Sequence, residues 1–168
     1  AADGSVLRIL DVGVEPSDIE VDQPTGDVLV SYLGNSRVVR YDASLDNPQT
    51  VLQGSGARTS PIGISLAPDG NLWVNWRGSG QTERIAPNGT VLGAATVPEQ
   101  MMDVEADAKG GAYVAVGNGG RIYYVATDPP VASFTSSLNG AIPAGAHLDF
   151  TSTSSDPDGT IASQSWDL

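Results

Sequence analysis

Three observations predict an all-β fold. A segment of about 40 to 45 residues recurs along the chain, a period that marks four-stranded propeller blades. Short apolar runs are bounded by clusters of Gly, Pro, Asn, Asp and Ser, the punctuation of strands and turns. Amphipathic helical periodicity is absent. The repeat is anchored on Gly26, Gly70 and Gly110, spaced 44 and then 40 residues apart.

Residues 4–13, Gly-Ser-Val-Leu-Arg-Ile-Leu-Asp-Val-Gly, read as one strand of the outermost type, matching Gly89-Thr90-Val91-Leu92. Each blade then opens with an alternating first strand: Ile19 and Val21, Ile64 and Leu66, Val104 and Ala106. A tight turn carrying the anchor glycine follows, and that glycine supplies the positive φ the turn needs. The second strands, starting at Asp27, Asn71 and Gly111, are apolar almost throughout, which suits a strand covered on both faces. Third strands are expected at Arg37–Tyr41, Thr82–Ile85 and Arg121–Val125, and fourth strands at Gln49–Leu52 and Gly89–Leu92. Blade three has no fourth strand of its own. Either residues 4–13 complete it through a second copy, giving a two-fold six-bladed ring, or the chain is a fragment of a longer propeller. Three blades cannot close a ring, since rings run from about four to eight, and the fragment is the first expectation chiefly because only half of a second, sandwich-like domain follows.

The chain has 20 Asp and Glu against 8 Lys and Arg, a net charge of −12. That excludes nucleic acid and anionic membrane surfaces as expected partners. No apolar run approaches the roughly 20 residues that span a bilayer, so no membrane insertion is expected. There is no Cys, hence no disulfide and no thiolate chemistry.

Blade two carries Gly63, Ile64, Pro68, Asp69, Gly70, Asn71, Leu72, Trp73 and Val74, then Arg84, Ile85, Pro87, Gly89 and Val91. These residues resemble the repeats of the streptogramin lyase family and its NHL-repeat relatives. Blades one and three match loosely, and the resemblance covers residues 16–126. The lyases of that family use a catalytic histidine and a bound metal at the propeller mouth. No histidine occurs in residues 1–126, so the resemblance implies the fold without that activity. Beyond Asp128-Pro129-Pro130 the composition changes. Val131–Thr135, Ala144–Thr151, Asp156-Pro157-Asp158-Gly159 and Ser165-Trp166-Asp167 resemble the PKD family, an immunoglobulin-like β-sandwich. The expected layout is therefore propeller blades of an incomplete ring over 1–127, a linker over 128–130, and the first half of a PKD-like sandwich over 131–168.

Candidate sites are few. Asp156 and Asp158 place two carboxylates two residues apart on a turn, a candidate calcium site of a kind the PKD resemblance also implies; the competing reading is a solvated turn. First strands line a propeller's channel, and Asp18, Glu20 and Asp22 with Asp103, Glu105 and Asp107 form a second candidate cation site there, against a reading of solvated edge charge. Blade two has Gly63, Ser65 and Ala67 at those positions. Tyr32 and Trp76, at strand ends, are candidate stacking surfaces for a sugar, whereas Trp73 and Tyr113 read as blade core. Asn88-Gly89-Thr90 is a glycosylation sequon better explained as a turn. His147, the single histidine, stands apart from the blades.

The expected function is a non-catalytic extracellular binding, adhesion or structural module, secreted or on a bacterial cell surface. In that reading the propeller presents loops to a glycan or protein ligand and the PKD segment acts as a spacer. Calcium is the one cofactor expected, and self-association could complete the ring or the sandwich. The alternative is a fragment of a secreted propeller enzyme, of lyase or sugar dehydrogenase type, whose catalytic residues lie outside this chain.

Overall fold

The computed structural model describes residues 4–6, 8–126, 131–137, 144–155 and 163–166. The chain divides into two compact units, Ala1–Val125 and Ala126–Leu168. All regular structure among the described residues is strand, in antiparallel sheets.

The first unit holds three successive sheets. Blade one is β1 (Pro16–Val21), β2 (Val28–Tyr32), β3 (Arg37–Tyr41) and β4 (Gln49–Gln53), paired in that order. Blade two is β5 (Pro61–Leu66), β6 (Leu72–Trp76), β7 (Gln81–Ile85) and β8 (Val91–Thr96), again in order. Blade three is β9 (Met101–Ala106), β10 (Ala112–Val116) and β11 (Ile122–Val125), with β11 at the sheet edge. The anchor glycines turn each first strand into the second with φ of 77°, 82° and 93° at Gly26, Gly70 and Gly110. Each first strand also breaks register at its second residue, opposite Tyr32, Trp76 and Val116 in turn. Such a bulge bends a strand and sharpens its twist.

Residues 4–13 were expected as a strand, and the described part of them forms none. A strand persists only with a ladder partner, and none of the three sheets includes the described residues of this segment. Instead Arg8 pairs with Asp46 at 2.7 Å, while Val12 and Val14 pack on the outer face of blade one against Val30, Tyr32, Val39 and Tyr41.

The core lies between blades. Leu29 and Val38 of blade one meet Leu72, Val74, Trp76 and Ile85 of blade two. On the other face of blade two, Trp73 meets Met101, Val104, Ala112, Val114 and Val116 of blade three. Alternate residues of one strand therefore serve two different interfaces, which is why β6 is buried at every position. At β10 the alternation is left half used: Ala112, Val114 and Val116 are buried, but Tyr113 is 50% exposed. The expectation that Tyr113 is blade core fails for this reason, since it faces away from blade two.

The second unit pairs β12 (Phe134–Ser136) with β13 (Phe150–Ser152), and Val131 bridges Ser155. Phe134, Phe150 and Trp166 form an aromatic cluster with centroids 5.7 to 5.8 Å apart. The expected linker at 128–130 and the candidate calcium ligands Asp156 and Asp158 lie outside the described residues.

Candidate functional site: the inner strands of the blades

The strands β1, β5 and β9 are the inner strands, and they bring four carboxylates from two blades together. Asp18, Glu20, Asp103 and Glu105 come close enough to repel one another although they belong to blades one and three. The small residues of blade two make this possible. A Cβ on Gly63 would lie 2.9 Å from the Val104 nitrogen and 3.0 Å from the Asp103 Cα, so only glycine lets β9 approach β5 so closely. Ser65 is 2% exposed and donates from its hydroxyl to Glu105 Oε2 at 3.4 Å.

Burial, then the charge of Glu105, raises the Glu20 carboxyl above the ordinary glutamate value; Asp18 and Asp103 add to this, partly offset by the Leu66 amide. Burial likewise raises Asp103, with Asp18 and Glu105 adding repulsion against the pull of the Val104 amide. The arrangement is a negative wall. Asp22 stands apart, paired with Arg40 at 3.1 Å, and Asp107 accepts from the Tyr124 hydroxyl at 2.8 Å. Among the described residues, no group of three or more His, Asp or Glu has a geometry that could hold a metal ion.

The hydrogen bonds show what these side chains do. Asp18 Oδ2 accepts from the Ile64 N–H at 2.7 Å, and the Leu66 amide pulls on the Glu20 carboxyl. Ser65 Oγ accepts from the Ala106 N–H at 3.0 Å. Each inner strand thus satisfies the exposed donors of the next one, which would otherwise be unpaired along a strand edge. The carboxylates clamp one blade to its neighbour.

The aromatic candidates fare differently from expectation. Tyr32 is 0% exposed and its hydroxyl meets that of Tyr41 at 2.7 Å. Burial, reinforced by that hydrogen bond, holds the Tyr32 phenol far above its ordinary value, and Arg37 lies 5.4 Å from its ring centroid. Trp76 is also 0% exposed, and its Nε1 donates to Glu83 Oε2 at 2.9 Å. Neither ring offers a face to a ligand in this chain: Trp76 closes the core between blades one and two, and Tyr32 is covered by Val12 and Val14 on the other face of blade one. Trp73, expected in the core, is there, donating to the Gly110 carbonyl at 3.0 Å. Asn88 Oδ1 accepts from the Thr90 N–H at 3.0 Å, the side-chain-closed turn expected of that tripeptide. His147 is 86% exposed beside Asp149, 3.3 Å away.

Sequence reasoning passed over Glu83. It is 2% exposed, held between Trp76 Nε1 and Arg58 Nε at 2.9 Å each. The repeat contained the signal: Val39 and Tyr123 occupy the matching positions, so a carboxylate in a core strand demanded buried donors. A second feature is an apolar cleft of about 260 Å³ between blades one and two, bounded by Leu29, Leu52, Leu66, Leu72 and Ile85 with Arg40 at its rim.

Three consecutive blades packed through their faces, with inner strands linked along a channel, define a β-propeller. No protein-family model matches the chain, and no curated protein matches it in sequence. Solved structures do. A chain of a nidogen–laminin complex superposes with a TM-score of 0.60 at 17% identity, over 68% of this chain and 45% of that one. Virginiamycin B lyase from Staphylococcus aureus gives 0.54 at 17% identity, over 77% and 47%. Regucalcin from Agrobacterium tumefaciens, described as a calcium-binding protein, gives 0.51 at 16% identity, over 60% and 37%. The chain thus spans less than half the length of these propellers, and at such identities the shared property is the fold.

Proposed function

We propose that this chain is a non-catalytic binding or structural module, secreted or at a cell surface, in which the propeller presents its loops to a glycan or protein and the second unit is a PKD-like spacer. The observation that carries this reading is the use made of the inner strands. The groups best placed for chemistry in a propeller channel, Asp18, Glu20 and Ser65, are engaged on the backbone of the next blade. No histidine or cysteine occurs in residues 1–126 to act as base or nucleophile beside them. The calcium expected of the second unit belongs to the Asp156–Asp158 turn, whose carboxylates suit a hard cation.

The test is a paired measurement on the full chain. Binding is screened on immobilised glycans and extracellular matrix proteins. Turnover is assayed on cyclic depsipeptides and sugar lactones with magnesium or calcium present. Saturable binding without turnover supports the module. Turnover that disappears in Asp18→Asn or Glu20→Gln would overturn it. For calcium, a rise in thermal midpoint that Asp158→Asn abolishes is expected; an unchanged midpoint removes the ion from the reading.

A further inference from the structure

We propose that residues 8–11 of a second copy of this chain form the fourth strand of blade three, so that two three-bladed arcs close a two-fold ring. The argument rests on positions that repeat. The connector into each blade is fixed by one bond: Leu33 N–H to Glu15 O at 3.0 Å, Arg77 N–H to Ser60 O at 3.1 Å, and Gly117 N–H to Gln100 O at 2.9 Å. Residues 12–15 therefore already sit as the connector between two blades sits. The start of that connector bonds back to the blade before it, Gly54 N–H to Ser36 O at 2.7 Å and Val97 N–H to Gly80 O at 3.0 Å. The third acceptor in this series is Gly120, which shares the left-handed backbone of Ser36 and Gly80 with φ of 62°, 53° and 68° respectively. The third donor is the N–H of Val12, which matches Val97. Blade one and blade three of a single arc are its opposite ends, so this bond joins two copies.

The rest of the pairing follows from the same register. In blade two, Thr82, Glu83 and Arg84 oppose Ala95, Ala94 and Gly93. Moved by one blade, Ile122, Tyr123 and Tyr124 oppose Leu10, Ile9 and Arg8 of the second copy. Both sides stand ready: β11 is an edge strand, Ile122 is 73% exposed, and Val6 and Ile9 are 77% and 85% exposed. An edge strand with apolar side chains beside an unladdered apolar segment is a template for strand addition. The exposed face of blade three fits the same occupant. Leu29 and Trp73 are 2% and 1% exposed because the next blade covers them, and Tyr113, their counterpart, is 50% exposed. The inner-strand clamps are also in place, since Asp103 and Glu105 match Asp18 and the Ser65 position, and would accept from Ile19 and Val21 of the second copy. The chain spans 45% and 47% of two of the propellers it resembles, so two copies supply about one ring. A two-fold ring repeats this contact twice and leaves no open end. Docking exchanges the exposed Arg8–Asp46 pair for a strand ladder.

The full chain is examined by light scattering and sedimentation across the micromolar range, where a dimer is expected. Leu10→Cys and Ile122→Cys are then made singly and mixed; the native sequence has no Cys to confuse the readout. Directly opposed residues in antiparallel strands lie within disulfide reach, so a covalent dimer is expected from the mixture under oxidising conditions and not from either variant alone. Ile9→Lys, at an exposed position, is expected to weaken dimerisation at least tenfold with the midpoint of the dissociated chain unchanged. A monomer at every concentration would overturn the proposal and leave the face to another polypeptide's blade. So would a dimer in which positions 10 and 122 do not link, or open-ended oligomers.

Discussion

Replacing Trp76 by Phe separates a core role from a ligand role. The indole is fully buried, and its Nε1 supplies one of the two donors to the Glu83 carboxylate. Phenylalanine keeps a ring in the core but removes that donor and part of the volume. Glu83 then retains Arg58 alone, through a guanidinium at the blade surface whose side chain is 37% exposed. Losing a hydrogen bond to a buried charged group costs about 1.5–3 kcal/mol. The unfilled space behind the smaller ring adds about 1–2 kcal/mol. The expected loss is about 3–4 kcal/mol, or roughly 10 °C in thermal midpoint. Urea unfolding followed by far-ultraviolet circular dichroism reads it without relying on the lost fluorophore, and the denaturant slope should not change. Trp76→Phe/Glu83→Gln should lose less than the sum of its parts, because the neutral amide no longer demands the second donor. A loss below about 0.5 kcal/mol would refute the reasoning, since a buried carboxylate cannot give up a donor so cheaply. Weakened glycan binding at unchanged stability would refute it too, by returning Trp76 to a surface role.

Other outcomes follow from the same contacts. Tyr32→Phe should cost about 1 kcal/mol by removing the buried hydroxyl pair with Tyr41, and should leave ligand binding unchanged; a binding defect at full stability would contradict this. Gly63→Ala should cost about 1–3 kcal/mol in urea unfolding, because a Cβ would press on the backbone of β9 at 2.9 Å; a neutral result would mean the inner strands are not in close contact. Glu20 and Asp103 hold their protons more tightly folded than unfolded, so their contribution to stability is present below the ordinary carboxylate range and is lost as pH rises through their raised values. Glu20→Gln should therefore raise the thermal midpoint at pH 7 (about neutral) and have no such effect near pH 3 (about the acid limit), which a pH series of melting curves would check.

Blade architecture was legible because it rests on local signals. The turn glycines, the apolar second strands and the third-strand endings all depend on residues within one repeat, and a period exposes them. What was misread depends on which neighbour a face meets. Tyr113 and Trp73 occupy the same place in the repeat, yet one has a blade beyond it and the other does not. Tyr32 and Trp76 looked peripheral because they end their strands, but Trp76 lies under blade one and Tyr32 under Val12 and Val14 of the segment that enters blade one. Residues 4–13 carry a strand pattern, but their described part forms no strand, because a pattern needs a ladder partner to become one. The Glu83–Arg58–Trp76 contact joins residues up to 25 positions apart, and only the break in the repeat at Glu83 hinted at it.

The inner-strand acids show why pattern alone could not settle a site. Carboxylates recurring at one position of alternate blades suggest a ring of ligands for a cation. The same recurrence is required if each carboxylate caps a backbone donor on the following blade. These two roles differ in where the lone pairs go. An oxygen that accepts an N–H at 2.7 Å, as Asp18 Oδ2 does from Ile64, has turned along the sheet edge and not toward the channel axis. Blade two supports the second role, because Ser65 does with a hydroxyl what Glu20 does with a carboxylate, and a serine oxygen would be a poor substitute in a cation site that depended on charge. The repulsion among Glu20, Asp103 and Glu105 is then a cost of clamping three blades together, incurred because the small residues of blade two let the inner strands come close.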